Sequence, residues 1–456
     1  MLAAAACTPY HTCIMRTLFL CSLFALAACT GAPGPDTGYG PNPELGAPQT
    51  GVLPTVNTAR AIGWADGAGP TAPEGFIVTR YAEEIVHPRW IYVLPNGDVL
   101  VAQSSTRAQR GGGLMGWVRN MVQRGAGAIE DESPDQITLL RDSDGDGVVD
   151  ERSVFADGLN QPFGMALVGE HFYVANTDAV VRYRYTPNAL RLSGQPETVL
   201  DLPYNAESNG HWTRSLAVSP DGSKLYVAVG SVSNVPANAE AFAVEEGRAA
   251  VWEFNSDGSG ARIFASGLRN PVGMEFEPST HVLWVAVNER DELGDNLVPD
   301  YMTSVQDGAF YGWPYSYFGQ TIDTRVAPQN PELVARALTP DYALGSHTAS
   351  LGLHFYQAEI YPSAYRGGVF IGQHGSWNRS EFAGYKVIFV PFANGRPAGD
   401  AQDFLTGFLN ERGQAQGRPV GVATDRTGAI LVADDVGDIV WRIAVNEAPV
   451  STNPSP

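Results

Sequence analysis

One short motif occurs three times in the chain and constrains its fold more than any other feature. Each copy places Pro-x-Gly at the start of an alternating apolar stretch, and the copies span 161–167, 269–276 and 417–423. After a turn, each is followed by a second apolar stretch: FYVAN at 172–176, LWVAVNE at 283–289 and ILVADD at 430–435. Repetition of strand-only units predicts a β-propeller, in which each unit buries its faces against its neighbours.

Looser copies of the same unit extend the series to six. The units begin near residues 87, 161, 211, 269, 349 and 418, and their uneven spacing indicates insertions of different lengths. Pro-Asn-Gly at 95–97 and Pro-Asp-Gly at 220–222 are typical of tight hairpin turns, because Asn and Gly tolerate positive φ. We therefore predict an all-β fold, a six-bladed β-propeller with four-stranded antiparallel blades.

Ring closure is a further expectation for this fold. A closed ring removes the strand edges that an open array would leave exposed. Residues 75–82 precede the first unit and alternate like a strand, whereas 438–445 end the last unit, so we expect these two segments to share one blade. Residues 114–124, inside an insertion, have the only convincing helical period.

The charge of the chain excludes one class of partner. The 456 residues carry a formal net charge of −20 at pH 7, whereas nucleic-acid binding needs a basic stripe for the phosphate backbone. The sequence supplies no such stripe, so no nucleic-acid partner is expected. A small anionic ligand would need its own local cluster of Arg and Lys.

The cysteines indicate how the N-terminus is used. All four lie within the first 29 residues, so the folded part has no disulfide framework. The apolar run 18–28 ends in Leu-Ala-Ala-Cys, the cleavage pattern of a bacterial lipoprotein signal peptide. We predict a signal peptide over 1–28 and a lipid on Cys29 that anchors the protein to a membrane, on the periplasmic side of the cell envelope. An ordinary secretory signal is the alternative, and Met15 is an alternative start.

Composition also sets the domain boundaries. Residues 29–73 are rich in Gly, Pro and Thr and poor in large apolar residues, which predicts a disordered tether. The propeller is predicted over 74–446, and 447–456 is predicted to be a disordered tail.

Polar residues gather at the predicted strand entrances. In a propeller the innermost strands begin at one face of the central channel, so the residues before them surround its mouth. These residues are Arg89, Gln161, His211, Arg214, Arg269, Asn270, the segment 347–350 and Arg418. Several guanidinium groups around one channel predict a ligand with several carboxylates, which Arg binds through paired hydrogen bonds. The alternative is that each Arg forms an ion pair between blades.

His211 is the candidate general base. It follows the flexible segment 205–210, stands at a strand entrance, and belongs to the residue type that titrates near neutral pH. The alternative is a hydrogen-bonded core histidine. A second polar cluster around His374, Asn378 and Arg379 follows the strand at 367–371, and we expect it to face the ligand as well.

Two segments have the oxygen-rich composition of calcium sites. Asp142, Asp144 and Asp146 alternate in a glycine-containing loop, but Ser153 stands where such a loop has its bidentate Glu. A partial calcium site and an Asp-rich turn are therefore both open. The loop 288–296 follows a channel-side strand, and its carboxylates and carbonyls offer a second calcium site beneath a cofactor.

Several motifs that occur in order resemble the sorbosone dehydrogenase family, whose relatives are the soluble quinoprotein glucose dehydrogenases. The motifs are GHWTRSLAVSPDG, ASGLRNPVGMEF, VNERDELGDN, YGWP, GQHGSWNRS and GRPVGVA. The resemblance covers nearly all of 74–445. It implies a six-bladed propeller that binds pyrroloquinoline quinone and calcium over its channel and oxidises the aldehyde or anomeric carbon of sugars.

The resemblance also implies roles for individual residues. His211 matches the catalytic base, Arg269 and Asn270 match the pair that contacts the quinone oxygens, and Arg418 matches a ligand of the cofactor carboxylates. With the strand-entrance residues, the predicted cofactor-binding set is Arg89, Arg214, Arg269, Asn270, Asn378, Arg379, Lys386 and Arg418. The predicted calcium set beneath the cofactor is Glu289, Arg290 and Asp295, through main-chain or side-chain oxygens. Glu289 and Arg290 fall where main-chain carbonyls hold the ion in the family. Pro419 and Val420 follow Arg418, so a second basic residue of the glucose enzymes is absent.

The predicted reaction combines these groups. Neutral His211 removes the proton of a sugar hydroxyl while hydride leaves the same carbon for the quinone, and Arg269 and calcium stabilise the developing charge. The partners are then a small sugar and an electron acceptor of unidentified type, a quinone pool or a cytochrome. Four aromatic residues are candidates for the wall of the sugar pocket: Trp212, Trp313, Tyr315 and Tyr317. Two alternatives are a calcium-dependent sugar lactonase and a non-catalytic propeller lipoprotein.

Overall fold

The computed structural model of the chain describes residues 38–50, 55–108, 113–129, 132–205 and 210–446. The predicted signal peptide, the predicted lipidation site at Cys29 and the predicted tail 447–456 lie outside the described residues. These three assignments therefore stay predictions from the sequence.

The described strands form eight antiparallel sheets, of which six are the blades of a ring and two are separate two-stranded hairpins. The chain begins with β1 (Tyr39–Gly40) and β2 (Phe76–Ala82). Blade 1 contains β3 (Pro88–Val93), β4 (Val99–Gln103), β5 (Gln136–Arg141) and β6 (Glu151–Ala156). Blade 2 contains β7 (Met165–Val168), β8 (His171–Ala175), β9 (Ala179–Arg184) and β10 (Glu197–Asp201). Blade 3 contains β11 (Leu216–Val218), β12 (Lys224–Val229), β13 (Ala250–Asn255) and β14 (Arg262–Ser266).

The second half of the chain forms the remaining blades. Blade 4 contains β15 (Asn270–Phe276), β16 (Leu283–Asn288), β17 (Pro299–Ser304) and, after the hairpin β18 (Ser316–Tyr317) and β19 (Thr321–Ile322), β20 (Tyr342–Ser346). Blade 5 contains β21 (His354–Phe355), β22 (Val369–Gln373), β23 (Lys386–Val390) and, after the hairpin β24 (Phe392–Ala393) and β25 (Arg396–Pro397), β26 (Gln402–Leu405). Blade 6 contains β27 (Pro419–Thr424), β28 (Ile430–Asp434) and β29 (Ile439–Val445).

The ring closes as the sequence predicts. β2 pairs antiparallel with β29, from Phe76 opposite Val445 to Ala82 opposite Val440. Blade 6 therefore has the strand order β2-β29-β28-β27, and its strands β27 and β28 lie against β3 of blade 1. The prediction of an all-β, six-bladed propeller with four-stranded antiparallel blades is confirmed, and blade 4 gains β1 as a fifth strand.

The glycine of the repeated motif allows adjacent blades to approach closely. A Cβ added to Gly164 would lie 2.3 Å from the backbone nitrogen of Leu216, and one added to Gly421 would lie 2.8 Å from the carbonyl oxygen of Arg89. Gly273 has a similar clash with the next blade. The three copies thus lie on blades 2, 4 and 6, where any side chain at the glycine would push the ring apart.

The hydrophobic core fills the spaces between adjacent blades. Leu139 and Phe172 belong to a buried cluster shared by blades 1 and 2, and Phe370 and Val432 belong to one shared by blades 5 and 6. Because successive residues of a strand point to opposite faces, each blade contributes to two such clusters. The innermost strands are thereby fixed, and the loops before them are held at one face of the channel.

The described part of the predicted tether is ordered. Tyr39 pairs with Leu344 of blade 4, and the Trp64 ring packs edge-on against the Trp441 ring with 5.3 Å between centroids. The indole N–H of Trp64 also donates to the Asp434 carboxylate at 2.7 Å. The prediction of a disordered tether over 29–73 is therefore wrong for residues 38–50 and 55–73, because a few aromatic side chains bind this polar segment to the blades.

The described residues include three short helices, which lie in the insertions. They are α1 (Gly113–Gly125), α2 (Ala239–Ala243) and α3 (Pro331–Arg336), and a 3₁₀ turn spans Ser363–Tyr365. α1 confirms the helix predicted over 114–124. None of the described helices has the length and hydropathy that spanning a bilayer requires.

Candidate active site

Two groups of charged side chains lie at the strand entrances, where the sequence places the functional face. We call the first the base cluster, and it consists of His211, Arg269, Asp291 and His347. We call the second the seam cluster, because its members come from blades 5, 6 and 1, where the ring closes. It consists of His87, Arg89, His374, Arg418 and Asp435.

His211 presents one ring nitrogen as a free acceptor. Its Nδ1 lies 2.8 Å from the carbonyl oxygen of Ser231 and 3.1 Å from the Ser231 hydroxyl. A carbonyl oxygen only accepts, so Nδ1 carries the proton of the neutral ring and Nε2 holds the lone pair. No hydrogen bond from a described residue reaches Nε2. Burial and then the charge of Arg269 lower the pKa of His211 to about 3, which keeps the imidazole neutral.

Arg269 is buried and has one N–H group without a partner. It donates to the carbonyl oxygen of Glu289 at 2.6 Å, to Oδ1 of Asn234 at 3.1 Å and to the carboxylate of Asp291 at 3.1 Å. Within the described structure, Nε of Arg269 and Oδ1 of the adjacent Asn270 have no hydrogen-bond partner. Buried polar atoms are rarely left unpaired, so these two neighbouring atoms indicate a polar ligand.

Asp291 and His347 complete the base cluster. Nδ1 of His347 lies 3.3 Å from Oδ1 of Asp291, and Nε2 lies 2.9 Å from the carbonyl oxygen of Gly294. Although burial opposes it, the hydrogen bond and the charge of Asp291 raise the pKa of His347, because both ring nitrogens face acceptors. The base cluster thus combines one carboxylate with the cations Arg269 and His347, beside a neutral His211.

The seam cluster converges on the carboxylate of Asp435. Nε2 of His374 lies 2.8 Å from Oδ2 of Asp435, Arg89 donates to the same oxygen, and Nε2 of His87 lies 3.7 Å away. Although burial opposes ionisation, His374 and Arg89 hold the pKa of Asp435 far below its usual range. Arg89 therefore forms an ion pair between two blades, which was the alternative to ligand binding in the sequence analysis. Its Nε nevertheless has no partner among the described residues.

Arg418 is a buried cation that no carboxylate neutralises. It donates to the carbonyl oxygen of Ala59 and to the hydroxyl of Tyr385, both at 3.3 Å, and it lies 5.0 Å from the Tyr385 ring centroid. In the part of the chain that the structure describes, no acidic group is within ion-pair distance of Arg418, and its Nε has no partner. Arg418 is therefore available to an anionic ligand.

Two predicted cofactor ligands lie elsewhere. Arg214 is fully buried and donates to the carbonyl oxygens of His211 at 2.8 Å and Thr213 at 2.9 Å, so it supports the backbone beneath the base. Lys386 pairs with Asp403 at 2.6 Å on β23, the third strand of blade 5, which is not a channel strand. The structure does not bring either side chain to the channel mouth.

Asn378 and Arg379 brace the loops around the site. Oδ1 of Asn378 accepts from the backbone of Glu292 at 2.8 Å, and its Nδ2 donates to the carbonyl oxygen of Thr55 at 2.5 Å. Arg379 donates to the carbonyl oxygen of Asp295 at 3.2 Å. These bonds tie the loop 288–296 to blade 5 and to the N-terminal segment. Asn378 and Arg379 were predicted to contact the cofactor, whereas in the structure they stabilise the loops around the site.

Within the set predicted for calcium beneath the cofactor, the side chains do not converge, which leaves the main-chain carbonyls of Glu289 and Arg290 as the other predicted ligands. Glu289 and Arg290 form a fully buried ion pair with 2.9 Å between Oε2 and Nε, and Arg290 also donates to the carbonyl oxygen of Ser316 at 2.7 Å. Asp295 accepts from the backbone nitrogen of Ser380 at 3.1 Å. Each of these side chains is thus bonded to a different partner within the fold. The sequence alone does not show these partners.

The first predicted calcium loop brings three carboxylates close together. Among the described residues, no other group of three or more acidic or histidine side chains is compact enough to share a metal ion. Oxygens of Asp142, Asp144 and Asp146 lie within 4.8 Å of one another. Both oxygens of Asp142 already accept backbone N–H groups, from Gly145 at 2.7 Å and Gly147 at 2.9 Å. These bonds fit the alternative of an Asp-rich turn, and calcium binding here stays a prediction.

Of the aromatic residues predicted to wall a sugar pocket, Trp212, Trp313 and Tyr317 are buried, whereas Tyr315 is half-buried and stacks on Phe242. Trp212 lies beneath Arg89 with 5.5 Å from the guanidinium carbon to the ring centroid, and the indole of Trp313 donates to the carbonyl oxygen of Asn234 at 2.9 Å. Tyr317 packs against Arg290 in the core. Trp212 and Trp313 therefore support the charged clusters from below.

Two residues that the sequence analysis missed, Asn234 and Asp435, are central to this arrangement, and Asp291 was predicted only as part of the calcium loop 288–296. All three follow the second strand of a blade, whereas the Arg and His candidates at the strand entrances precede the first strand. The second strand of a hairpin ends at the face where the first begins. Polar residues just after β12, β16 and β28 therefore reach the same channel mouth, and this signal was present in the sequence.

A family model described as TrAA12-like matches residues 70–308 and 321–445. The chain belongs to the TrAA12-like family. An uncharacterised protein of Borreliella burgdorferi is 30% identical over 302 residues, which cover 63% of this chain and 76% of that protein. The aldose sugar dehydrogenase YliI of Escherichia coli is 31% identical over 182 residues, 39% of this chain and 42% of that enzyme. The predicted relation to sugar dehydrogenases is confirmed at the level of the family.

Solved structures share the fold of this TrAA12-like chain. The holo form of the pyranose dehydrogenase PQQ domain from Coprinopsis cinerea matches with a TM-score of 0.66 and 20% identity, over 85% of this chain and all 100% of that domain. The calcium structure of a Trichoderma reesei enzyme of carbohydrate-active family AA12 matches with a TM-score of 0.65 and 18% identity, over 87% of this chain and 100% of that one.

Proposed function

We propose that this protein is a pyrroloquinoline quinone-dependent oxidoreductase that oxidises an aldose or a sugar aldehyde of the sorbosone type. The base cluster carries the proposal: His211 offers a lone pair on Nε2 next to Arg269 and Asn270, which have unpartnered polar atoms. Two of the similar proteins, an aldose sugar dehydrogenase and the holo form of a pyranose dehydrogenase PQQ domain, support the same chemistry.

The residues at the channel mouth fit the quinone cofactor. This cofactor carries several carboxylates and a pair of quinone oxygens, so it needs cations and N–H donors in a protected site. Arg89, Arg269 and Arg418 each keep Nε without a partner in the described structure, and they come from three different blades. Arg269 and the Nδ2 amide group of Asn270 would donate to the quinone oxygens, and Arg418 with Arg89 would hold carboxylates. When bound, the cofactor accepts a hydride from the sugar carbon.

Side chains of the protein itself accept and stabilise the proton that leaves the sugar hydroxyl. His211 Nε2 accepts it from the sugar hydroxyl, while the Nδ1–H group stays bonded to the carbonyl oxygen of Ser231. The nearby charge of Asp291 favours the imidazolium that forms, as its effect on the pKa of His211 indicates. Arg269 provides a fixed positive charge at the reacting centre, and fixed charges need no reorganisation during the reaction.

Calcium dependence stays a prediction. The side chains of Glu289, Arg290 and Asp295 are paired within the fold and do not fit a calcium ion. The carbonyl oxygen of Glu289 accepts from Arg269 at 2.6 Å, so this oxygen already faces a cation. No step of the proposed reaction is assigned to calcium.

The lactonase alternative is disfavoured by the position of the acidic groups. Such an enzyme needs a metal held by carboxylates at the channel centre. In the described ranges, the acidic group compact enough for an ion is the one at Asp142, Asp144 and Asp146, between the outer strands β5 and β6 of blade 1. The channel mouth instead collects arginines and histidines.

Reconstitution tests the proposal. The purified protein is mixed with pyrroloquinoline quinone, with and without calcium, and the bound chromophore is measured after gel filtration. Oxidation of aldoses and of sorbosone is then followed with an artificial dye. A bound chromophore with dye reduction is the expected result. Binding without turnover would favour the non-catalytic scaffold, and no binding would overturn the proposal.

Replacing Arg418 with alanine is expected to weaken quinone binding by about 10- to 100-fold, which corresponds to the 1.5–3 kcal/mol of a hydrogen bond to a charged group. Turnover at saturating quinone should change much less, because Arg418 contacts no reacting atom. Arg396→Ala is the matched control, since Arg396 is exposed and pairs with Asp341 on the surface. Equal quinone affinity of Arg418→Ala and wild type in a fluorescence titration would contradict this role.

We also propose that Cys29 carries a lipid anchor on the periplasmic side of the cell envelope and that electrons pass to a quinone pool or a cytochrome. An acyl chain contributes about 0.8 kcal/mol of membrane affinity per buried CH₂. The wild type should therefore sediment with membranes, and Cys29→Ala should appear in the soluble fraction. Release of both forms to the same extent would argue for an ordinary secretory signal.

A further inference from the structure

One loop contributes hydrogen bonds to both predicted catalytic side chains, in addition to the bonds that Arg269 donates to Glu289 and Asp291. It joins β12 to β13 in blade 3. Near its start, Ser231 accepts from His211 through its carbonyl oxygen, and its backbone nitrogen donates to the carbonyl oxygen of Arg269 at 2.8 Å. Further along, Oδ1 of Asn234 accepts from Arg269 at 3.1 Å and from the backbone nitrogen of Asp291 at 2.9 Å. The loop therefore sets the position of the base and of the arginine together.

Glu245, on the returning part of the same loop, holds this arrangement in place. Its carboxylate accepts from the backbone nitrogens of Val232 and Ser233, each at 2.8 Å, and from the hydroxyl of Ser233 at 2.7 Å. The side chain is only 8% exposed. No ion pair to Glu245 occurs in the described structure. Burial lowers the pKa of Arg248, and the negative charge of Glu245 opposes this effect. The backbone N–H groups are thus its direct partners.

We propose that Glu245 is a positioning residue, which fixes the backbone at Val232 and Ser233 so that Ser231 and Asn234 stay directed at His211 and Arg269. A buried carboxylate is costly unless its hydrogen bonds are satisfied, and all the bonds that satisfy this one run to the segment between Ser231 and Asn234. The consequence for turnover rests on the proposed function. The consequence for His211 itself does not.

Glu245→Gln tests the inference with almost no change of volume. An amide presents N–H donors where the carboxylate accepted, so one end of it opposes the donors of Val232 and Ser233. The loop should shift and loosen the bond between His211 and the Ser231 carbonyl. Water then reaches the ring, and the balance of Arg269, Arg214 and Asp291 around it changes. Glu246→Gln is the matched control, because Glu246 is the exposed neighbour.

The primary readout is the His211 imidazole itself, followed by NMR in ¹³C-histidine-labelled protein without cofactor. In wild type and Glu246→Gln, we expect the Nδ1–H tautomer and a neutral ring at pH 5. In Glu245→Gln, we expect a mixture of tautomers and titration closer to the ordinary range of histidine. Ser233→Ala removes one of the three bonds and should give a smaller change in the same direction, which keeps the test valid should Glu245→Gln fold poorly.

Kinetics add a second readout when the wild type is active. Displacing the base by a fraction of an ångström slows proton transfer, so kcat of Glu245→Gln should fall about tenfold or more. The quinone affinity should change little, because the cofactor ligands stay in place. Glu245→Asp, which keeps the acceptor charge, should recover part of the rate. The same tautomer and titration of His211 in Glu245→Gln as in wild type would overturn the inference. A wild type without sugar oxidation would overturn the proposed function alone.

Discussion

His211→Ala should lower the turnover of sugar oxidation by about 10²–10⁴-fold, the usual effect of removing a positioned general base. Quinone affinity should stay close to that of the wild type, because the free Nε2 of His211 serves the substrate proton and the side chain forms no ion pair in the described structure. Steady-state dye reduction at saturating quinone, together with a quinone titration, measures both quantities. This split separates a dehydrogenase from a scaffold.

His171→Ala is a suitable control for this experiment. His171 begins β8 of blade 2 and contacts Tyr173, away from the strand entrances. Its removal should leave both turnover and quinone affinity unchanged. Full activity of His211→Ala would exclude His211 as the base and would leave the lone pair on Nε2 without a role.

A chain that begins at Glu74 should be less stable than one that begins at Gly38. The longer chain keeps β1 on blade 4 and keeps Trp64 packed on Trp441, with the Trp64 indole bonded to Asp434. Removing a core Trp side chain costs about 3–5 kcal/mol, and Trp64 is half-buried. We therefore expect the free energy of unfolding to fall by about 3 kcal/mol, measured by urea denaturation.

Two further chains make this experiment specific. Trp64→Ala in the full chain should account for a large share of the loss, since Trp64 also contacts Phe408 at 5.6 Å between centroids. The unaltered full protein is the reference for Trp64→Ala, and the chain that begins at Gly38 is the reference for the one that begins at Glu74. Equal midpoints for the chains beginning at Gly38 and Glu74 would show that the N-terminal segment contributes nothing to stability.

The fold was predictable because its main determinants are local and repeated. The Pro-x-Gly motif occurs where blades 2, 4 and 6 each contact the next blade. The glycine is required there because the space at Gly164 and Gly421 holds no side chain. The alternation within 75–82 and 438–445 was sufficient to predict closure, because two unpaired strands at the ends of the ring would each leave an exposed edge. The positions of His211, Arg269 and Arg418 followed from the same register of strand entrances.

The remainder of the site depends on pairings that no local pattern contains. Lys386 and Arg214 carry the right charge, yet Asp403 and backbone carbonyls engage them away from the channel mouth. The contact between Ala59 and Arg418 joins residues 359 positions apart through a main-chain oxygen, which leaves no trace in residue type. Composition likewise indicated a tether because two or three aromatic anchors hardly change an average over 45 residues.

The two halves of the site differ in how far apart their members lie in the sequence. The base cluster comes from one continuous stretch of chain between His211 and His347, whereas Arg89 and Asp435 of the seam cluster are 346 positions apart. Contacts between distant segments form late in folding, after the chain between them has been ordered. The base can thus be assembled in a partly folded ring, but the contacts at Asp435 exist only after the last blade has met the first. A ligand that needs both clusters therefore binds completed rings and stabilises them over unclosed ones, so that ligand loading itself selects correctly folded molecules.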